Sequence, residues 1–485
     1  MGTQPASGRD RRDAHDGQVL ILVAIATAIL LAFAALAVDA GMALAERRGA
    51  QNAADAASMA AAQAMLDGAS TEVVRETAVE YARLNGYEIT LDDVRPNDDD
   101  ETVEVDVVVD VPRFFLGAFY EGDWQVGTDA VATLEDVPRN YALLTLRESG
   151  PGINMSGNVG INIEGGSAMS NSYMACNGNN ELYADENVDS HDGFNTTGNC
   201  EFTGEQGENP SAPRVDDPLE GTPTPPRPST PSGLSEGSCS SSGGVTTCSP
   251  GAYPSGHTFN GGTHRLQPGV YHFEDDLEIR GGATVELIDS PSAGHEPFTH
   301  TIYLDNSDID VRNRGNEFVT VGSSNPIFYF DNGTIDMGGN TDLTLASGVH
   351  YFDGQDLSIS GNQDLYGYEI MLFFDNNAGF SNAGTTDFEF TPSSTPLYPG
   401  MHPDLLFFTA PGSASTFNLV GTSNTYFEGI TYMPDGLLDF RGTADGVWAR
   451  GQVIVDQADF RGNASGTIEY RDHVDLGVPR VWLVR

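Results

Sequence analysis

The chain has 485 residues, with 70 Asp and Glu against 23 basic residues, all of them arginine, giving a formal net charge of -47. Such a surface repels nucleic acid and anionic headgroups, which argues against a DNA- or RNA-binding role. It also stays soluble at high ionic strength, where the Debye length falls to ~3 Å at 1 M, so the composition fits a salt-loving source. The length accommodates two or three domains with cores of their own.

Residues 1–16 read as a cytoplasmic tail. From Val19 to Val38 runs a 20-residue apolar span without a charge or a proline, Leu22, Ile25, Leu30 and Phe33 among its residues. At ~1.5 Å per residue this helix covers ~30 Å, the hydrocarbon thickness of a bilayer. The apolar region of a cleaved signal peptide is shorter, about 7–15 residues. Retention is therefore favoured, while small-residue sites at Ala35-Leu36-Ala37 and Ala43-Leu44-Ala45 leave cleavage open. Arg9, Arg11 and Arg12 precede the span and Arg47 and Arg48 follow it, a narrow positive-inside margin that puts the bulk of the chain outside the cytoplasm. No proline separates the span from the alanine-rich run to Met65, which reads as the same helix continuing outward as a stalk.

These residues carry a family resemblance. Gly17-Gln18, the apolar span, Val38-Asp39-Ala40-Gly41, Arg47-Arg48 and the run from Gln51 and Asn52 through Asp55 to Ser58 stand in the order of TadG-like proteins of the Tad (Flp) pilus-assembly group. The resemblance implies a membrane-anchored, non-enzymatic accessory of a tight-adherence pilus, with other pilus-assembly proteins as partners. The fifth residue after Gly17 is Leu22, where a type IV prepilin carries Glu, so prepilin-type processing is not implied.

Residues 66–139 read as a small α+β module. Thr71–Leu84 is an amphipathic helix ending at Asn85-Gly86. Strands are expected at 87–91, at 102–111 with alternating Val103, Val105, Val107 and Val109, and at 124–133. The acidic turn at 96–100 joins two of them, and Pro112-Arg113-Phe114-Phe115-Leu116 reads as a short apolar helix.

After residue 140, Asn, Gly, Ser and Thr dominate and helical periodicity disappears. Asp439-Phe440-Arg441-Gly442 recurs as Asp459-Phe460-Arg461-Gly462, and Pro250-Gly251-Ala252-Tyr253 recurs as Pro268-Gly269-Val270-Tyr271. A looser copy covers Ser347 to Phe352. Repeats of about 20 residues, with short alternating strands closed by glycine, predict a right-handed parallel β-helix over 140–475, with a β-sandwich as the alternative. Residues 207–257, rich in proline, read as an insertion that leaves one coil and rejoins the next. The chain then ends in a tail, 476–485.

Candidate chemistry is sparse. Cys176, Cys200, Cys239 and Cys248 show no CxxC spacing. An even count in an exported chain suggests two disulfides, with 176–200 and 239–248 the sequence-local choice of three connectivities and free thiols the alternative. No metal, cofactor or catalytic residue is expected. Asp185-x-Asn187-x-Asp189 resembles the opening of a calcium loop, but Ser190 stands where the loop glycine belongs. Asp308 and Asp310 form a same-face carboxylate pair of the kind a glycosidase uses, with no basic cluster beside it. A glycan- or calcium-binding adhesin is the alternative function, with Tyr432, Phe440 and Phe460 as a sugar platform or, alternatively, core rungs. A polysaccharide lyase or hydrolase stands behind it.

Overall fold

A computed structural model describes residues 13–66, 69–97, 101–115, 117, 122, 124–289, 298–384, 386–420, 425–441, 443–474 and 476–484. Arg9, Arg11 and Arg12, the turn residues Asp98, Asp99 and Asp100, and Leu116 lie outside the described residues. The chain divides into two compact units, 1–137 with 479–485, and 138–478.

In the first unit, helix α1 runs unbroken over Asp13–Leu66. Its apolar half is bare, with Leu22, Leu30 and Phe33 each more than 60% exposed. Its alanine half is not a stalk. Ala50, Ala54, Ala57 and Ala61 recur at helical spacing and are wholly buried, packed with Val74, Ala78 and Ala82 of helix α2 (Thr71–Leu84) and with Val103, Val105 and Val107. The physical reason lies in the sheet: its valine face needs a cover, and methyl side chains let a helix approach closely. At Gly49 the approach is closer still, since a Cβ there would meet the Tyr87 hydroxyl at 2.0 Å.

The sheet of this unit is ordered 94–97, 102–110, 125–139 and 476–484. The expected tail is thus an edge strand, with Val481 and Leu483 packed against the same core. The strand expected at 87–91 begins instead at Val94. Thr90 and Asp93 form a reciprocal cap, Thr90 N donating to the Asp93 carboxylate at 2.8 Å, and turn Leu91–Asp93 into a single 3-10 turn. Pro112 to Phe115 is irregular chain rather than helix.

The second unit is a parallel β-solenoid of about 14 turns. The sandwich alternative fails because, apart from the hairpin joining 239–242 to 245–248, the described pairings are parallel. One face can be followed rung by rung through Ala252, His272, Tyr303, Tyr329, Tyr351, Phe373, Phe408, Tyr432 and Ile454. The next rung is Leu144, followed by Met169, Asp189 and Asn209. The coils earliest in sequence therefore stack beyond the last ones.

This stacking order requires the chain to return along the whole array, and the proline-rich segment does so. It leaves the coil that ends at Asn209 and re-enters at the opposite end, near Ala252. The expected coil-to-coil insertion is instead a strap. From the Met169 rung, beside which Asn171 holds Val215, to the Ala252 rung it passes about ten rung spacings, ~48 Å at the ~4.8 Å strand spacing. The segment from Val215 to Glu236 reaches ~65 Å as extended polyproline-like chain. Beneath it lies a second core, with Ala212, Val215 and Leu219 packed on Met169, Tyr432 and Tyr398 outside the solenoid wall.

Candidate functional site

Three arrangements carry the chemistry of this chain. The first surrounds Asp39, which follows the apolar span directly and is 1% exposed. Its carboxylate accepts the backbone N–H groups of Phe114 at 3.1 Å and of Phe115 at 3.1 and 3.3 Å. Two charge-assisted bonds satisfy a buried anion and fix the 112–115 loop against α1. Gln51 bridges Asp55 Oδ1 at 2.8 Å and the Asp129 carbonyl at 3.1 Å, tying the helix to the sheet. Gly41, Arg47 and Asn52 remain at the surface, and the side chains of Gly17 and Gln18 are not described.

The second is a tyrosine–aspartate ladder under the strap. Tyr303, Tyr329 and Tyr351 stand on one outer face with ring centroids 4.9 Å apart. Each donates its hydroxyl to an aspartate one coil on: Tyr303 to Asp331 at 2.6 Å, Tyr329 to Asp353, and Tyr351 to Asp375 at 2.7 Å. Burial and the neighbouring carboxylates push these phenols far up, so they remain donors at any working pH. The strap joins at fixed points. Arg227 pairs with Asp353 and donates to Tyr329 at 2.7 Å, Tyr398 donates to the Pro223 carbonyl at 2.8 Å, and Tyr432 donates to Asp217 at 2.6 Å. The sequence carries this ladder as Tyr303-Leu304-Asp305-Asn306, Tyr329-Phe330-Asp331-Asn332, Tyr351-Phe352-Asp353-Gly354 and Phe373-Phe374-Asp375-Asn376. The step from Tyr303 to Tyr329 is longer than the two steps after it, so the ladder has no fixed period in the sequence.

The third is an amide row at one corner of the early coils. Asn179 donates to Asn158 Oδ1 at 2.9 Å and Asn199 to Asn179 Oδ1 at 2.8 Å. The glycines before them stack too: a Cβ on Gly157, Gly178 or Gly198 would meet the carbonyl oxygen of the preceding rung at 2.3 to 2.5 Å, at φ values of +101 to +128°. The row lines an open groove of about 520 Å³ with Glu181, Glu201 and Ser465.

Other expected residues do not assemble into sites. Cys176 is bonded to Cys200 and Cys239 to Cys248. His257 lies 3.5 Å from Cys239 Sγ, but with both sulfurs held in the disulfide only its imidazole is open to a metal. Asp185 accepts Gly165 N at 2.8 Å and Asp189 accepts the Tyr141 hydroxyl at 2.7 Å, so the two carboxylates serve different coils. Asp308 accepts Thr334 N at 2.8 Å while Asp310 pairs with Arg312 at 2.6 Å, and burial raises both carboxyls. Phe440 and Phe460 are buried rungs with centroids 6.2 Å apart, and Tyr432 is covered, so none forms a sugar platform.

These features define a class: a β-solenoid joined to a compact module built on a helix long and apolar enough to cross a membrane. Residues 17–64 match the Tad family model, described as "Putative Flp pilus-assembly TadE/G-like". The matched segment is the bare apolar stretch of α1 together with its buried alanine face. No curated protein and no solved structure matches the chain.

Proposed function

We propose that this protein is a structural, non-catalytic component of a Tad-type pilus apparatus, held in the membrane by Val19–Val38 with its solenoid on the extracytoplasmic side. The observation that carries the proposal is the coincidence of the family match at 17–64 with a single helix whose first half is bare and apolar and whose second half is core. Two disulfides suit an exported unit. The role is mechanical presentation: a stacked coil array resists bending, and the strap ties its two ends together. No cofactor enters.

The test is electron microscopy of cells with and without the gene, combined with fractionation of a tagged copy. Loss of surface filaments with a membrane-bound tag supports the assembly role; normal filaments overturn it. The amide-lined groove supports a second reading, an adhesin for polyhydroxylated glycans, which requires normal filaments with lost attachment.

A further inference from the structure

We infer that Phe114 and Phe115 form a second membrane contact, an aromatic wedge lying in the lipid headgroup region beside the exit of α1. The inference rests on the reading of Val19–Val38 as a membrane-crossing helix.

Asp39 is the first charged residue after the apolar run, so it marks the level at which the helix leaves the hydrocarbon. Both phenylalanines are bonded through their backbone N–H groups to that carboxylate, which places them within about one helical turn (~5.4 Å) of the same level. Their side chains do not turn inward: Phe114 is 63% and Phe115 50% exposed, although the module has a core of its own nearby. The loop is held from its other side as well, because Arg113 donates to the Gly122 carbonyl. Two adjacent aromatic side chains held open to solvent are a liability in water and an asset at an interface, where apolar bodies gain burial while their backbone stays hydrated. The occupant is the bilayer itself, by continuity with the exposed face of α1 around Phe33, Leu36 and Val38. An overall charge of -47 disfavours anionic headgroups, so a zwitterionic surface is the better fit.

The consequence is a fixed seat. A single helix is free to tilt and slide, whereas a helix with a rigid lateral wedge holds the module at one depth.

The experiment uses the full chain in phosphatidylcholine vesicles containing lipids brominated at shallow or deep acyl positions. Three variants are compared with the parent chain: Phe115→Trp, Leu30→Trp in the span, and Tyr81→Trp on α2. The expected result is added emission from Phe115→Trp that shallow bromines quench at least twofold, deep quenching of Leu30→Trp, and none for Tyr81→Trp. Adding Asp39→Asn to Phe115→Trp reduces the shallow quenching at least twofold while Leu30→Trp stays quenched. Quenched Leu30→Trp with unquenched Phe115→Trp overturns the wedge and leaves the anchor standing; unquenched Leu30→Trp overturns both.

Discussion

At the scale of single residues, the solenoid handles charge by alternation. In Asp439-Phe440-Arg441 and Asp459-Phe460-Arg461 the phenylalanine points into the coil while Asp and Arg share the outer face. Stacking puts two nearly buried aspartates on adjacent rungs, and Arg441 and Arg461 neutralise them, Arg461 also lying 3.9 Å from Asp439. Arg461→Ala leaves two stacked carboxylates with one cation, Arg441, and with Asn154 and Gln457 as neutral donors to Asp459. The expected loss is about 2 kcal/mol, read as a lower denaturant midpoint with that of Arg471→Ala, an exposed pair, nearly unchanged. His350 makes the opposite choice. It is wholly buried against Phe328, and burial lowers its pKa to about 4. An unfolded chain takes up this proton near pH 6.5 and the folded one does not, so the penalty is absent above pH 6.5 and grows to about 3 kcal/mol as pH falls to 4. Thermal unfolding of His350→Leu should therefore show a shallower loss of stability than the parent across pH 6.5 to 4. Equal slopes would rule out a buried neutral imidazole.

At the scale of elements, the strap decides more than any strand. Proline lacks the N–H that a sheet interior needs, yet along a solenoid flank only side chains and carbonyls must be met. Tyr398, Tyr432 and Arg227 meet them. Arg227→Ala leaves Asp353, whose side chain is 4% exposed, with Tyr329 and Asn376 as neutral donors. Cleavage by proteinase K within the strap, residues 219–236, should speed up by at least tenfold, while the amides of the inner stack Phe330, Phe352 and Phe374 stay protected from hydrogen exchange. The alanine half of α1 is equally committed. Ala57→Leu adds three carbons where the side chain is wholly buried, and overpacking there costs about 1–3 kcal/mol; unchanged stability would mean the sheet does not sit on that face.

At the scale of the whole molecule, the coil order separates covalent from spatial neighbours. Rungs Val453, Ile454 and Val455 pair with Leu143, Leu144 and Thr145, which lie at the opposite end of the unit in sequence. A protease site inserted after Gly233, in the strap, should therefore give two fragments that remain associated in native electrophoresis and separate only in denaturant. Separation without denaturant would refute the stacking order. The charge of -47 acts on the same scale: raising salt from ~0.05 to 1 M screens self-repulsion, and the melting temperature should climb rather than fall.

Local features needed only the sequence. The span from Val19 to Val38 is apolar whatever surrounds it, helix α2 shows its own periodicity and stop, and the recurrence of the Phe440 motif at Phe460 already implies stacked coils. The recurrence of Pro250-Gly251 at Pro268-Gly269 shows the limit of that reasoning. The motif aligns Tyr253 with Tyr271, but the register of the coils places Tyr253 over Phe273. Matched rungs fall at 252 and 272 in one coil and at 373 and 408 in another, so coil length varies and blurs any fixed period. What the tertiary structure alone decided is pairing at a distance: Asp39 with the Phe114–Phe115 backbone, Asp217 with Tyr432, the last strand with the first sheet, and the first coils with the last. Composition and periodicity record which side chains prefer burial. They carry no record of which remote segment supplies the cover, because that depends on the free energy of the whole packed arrangement.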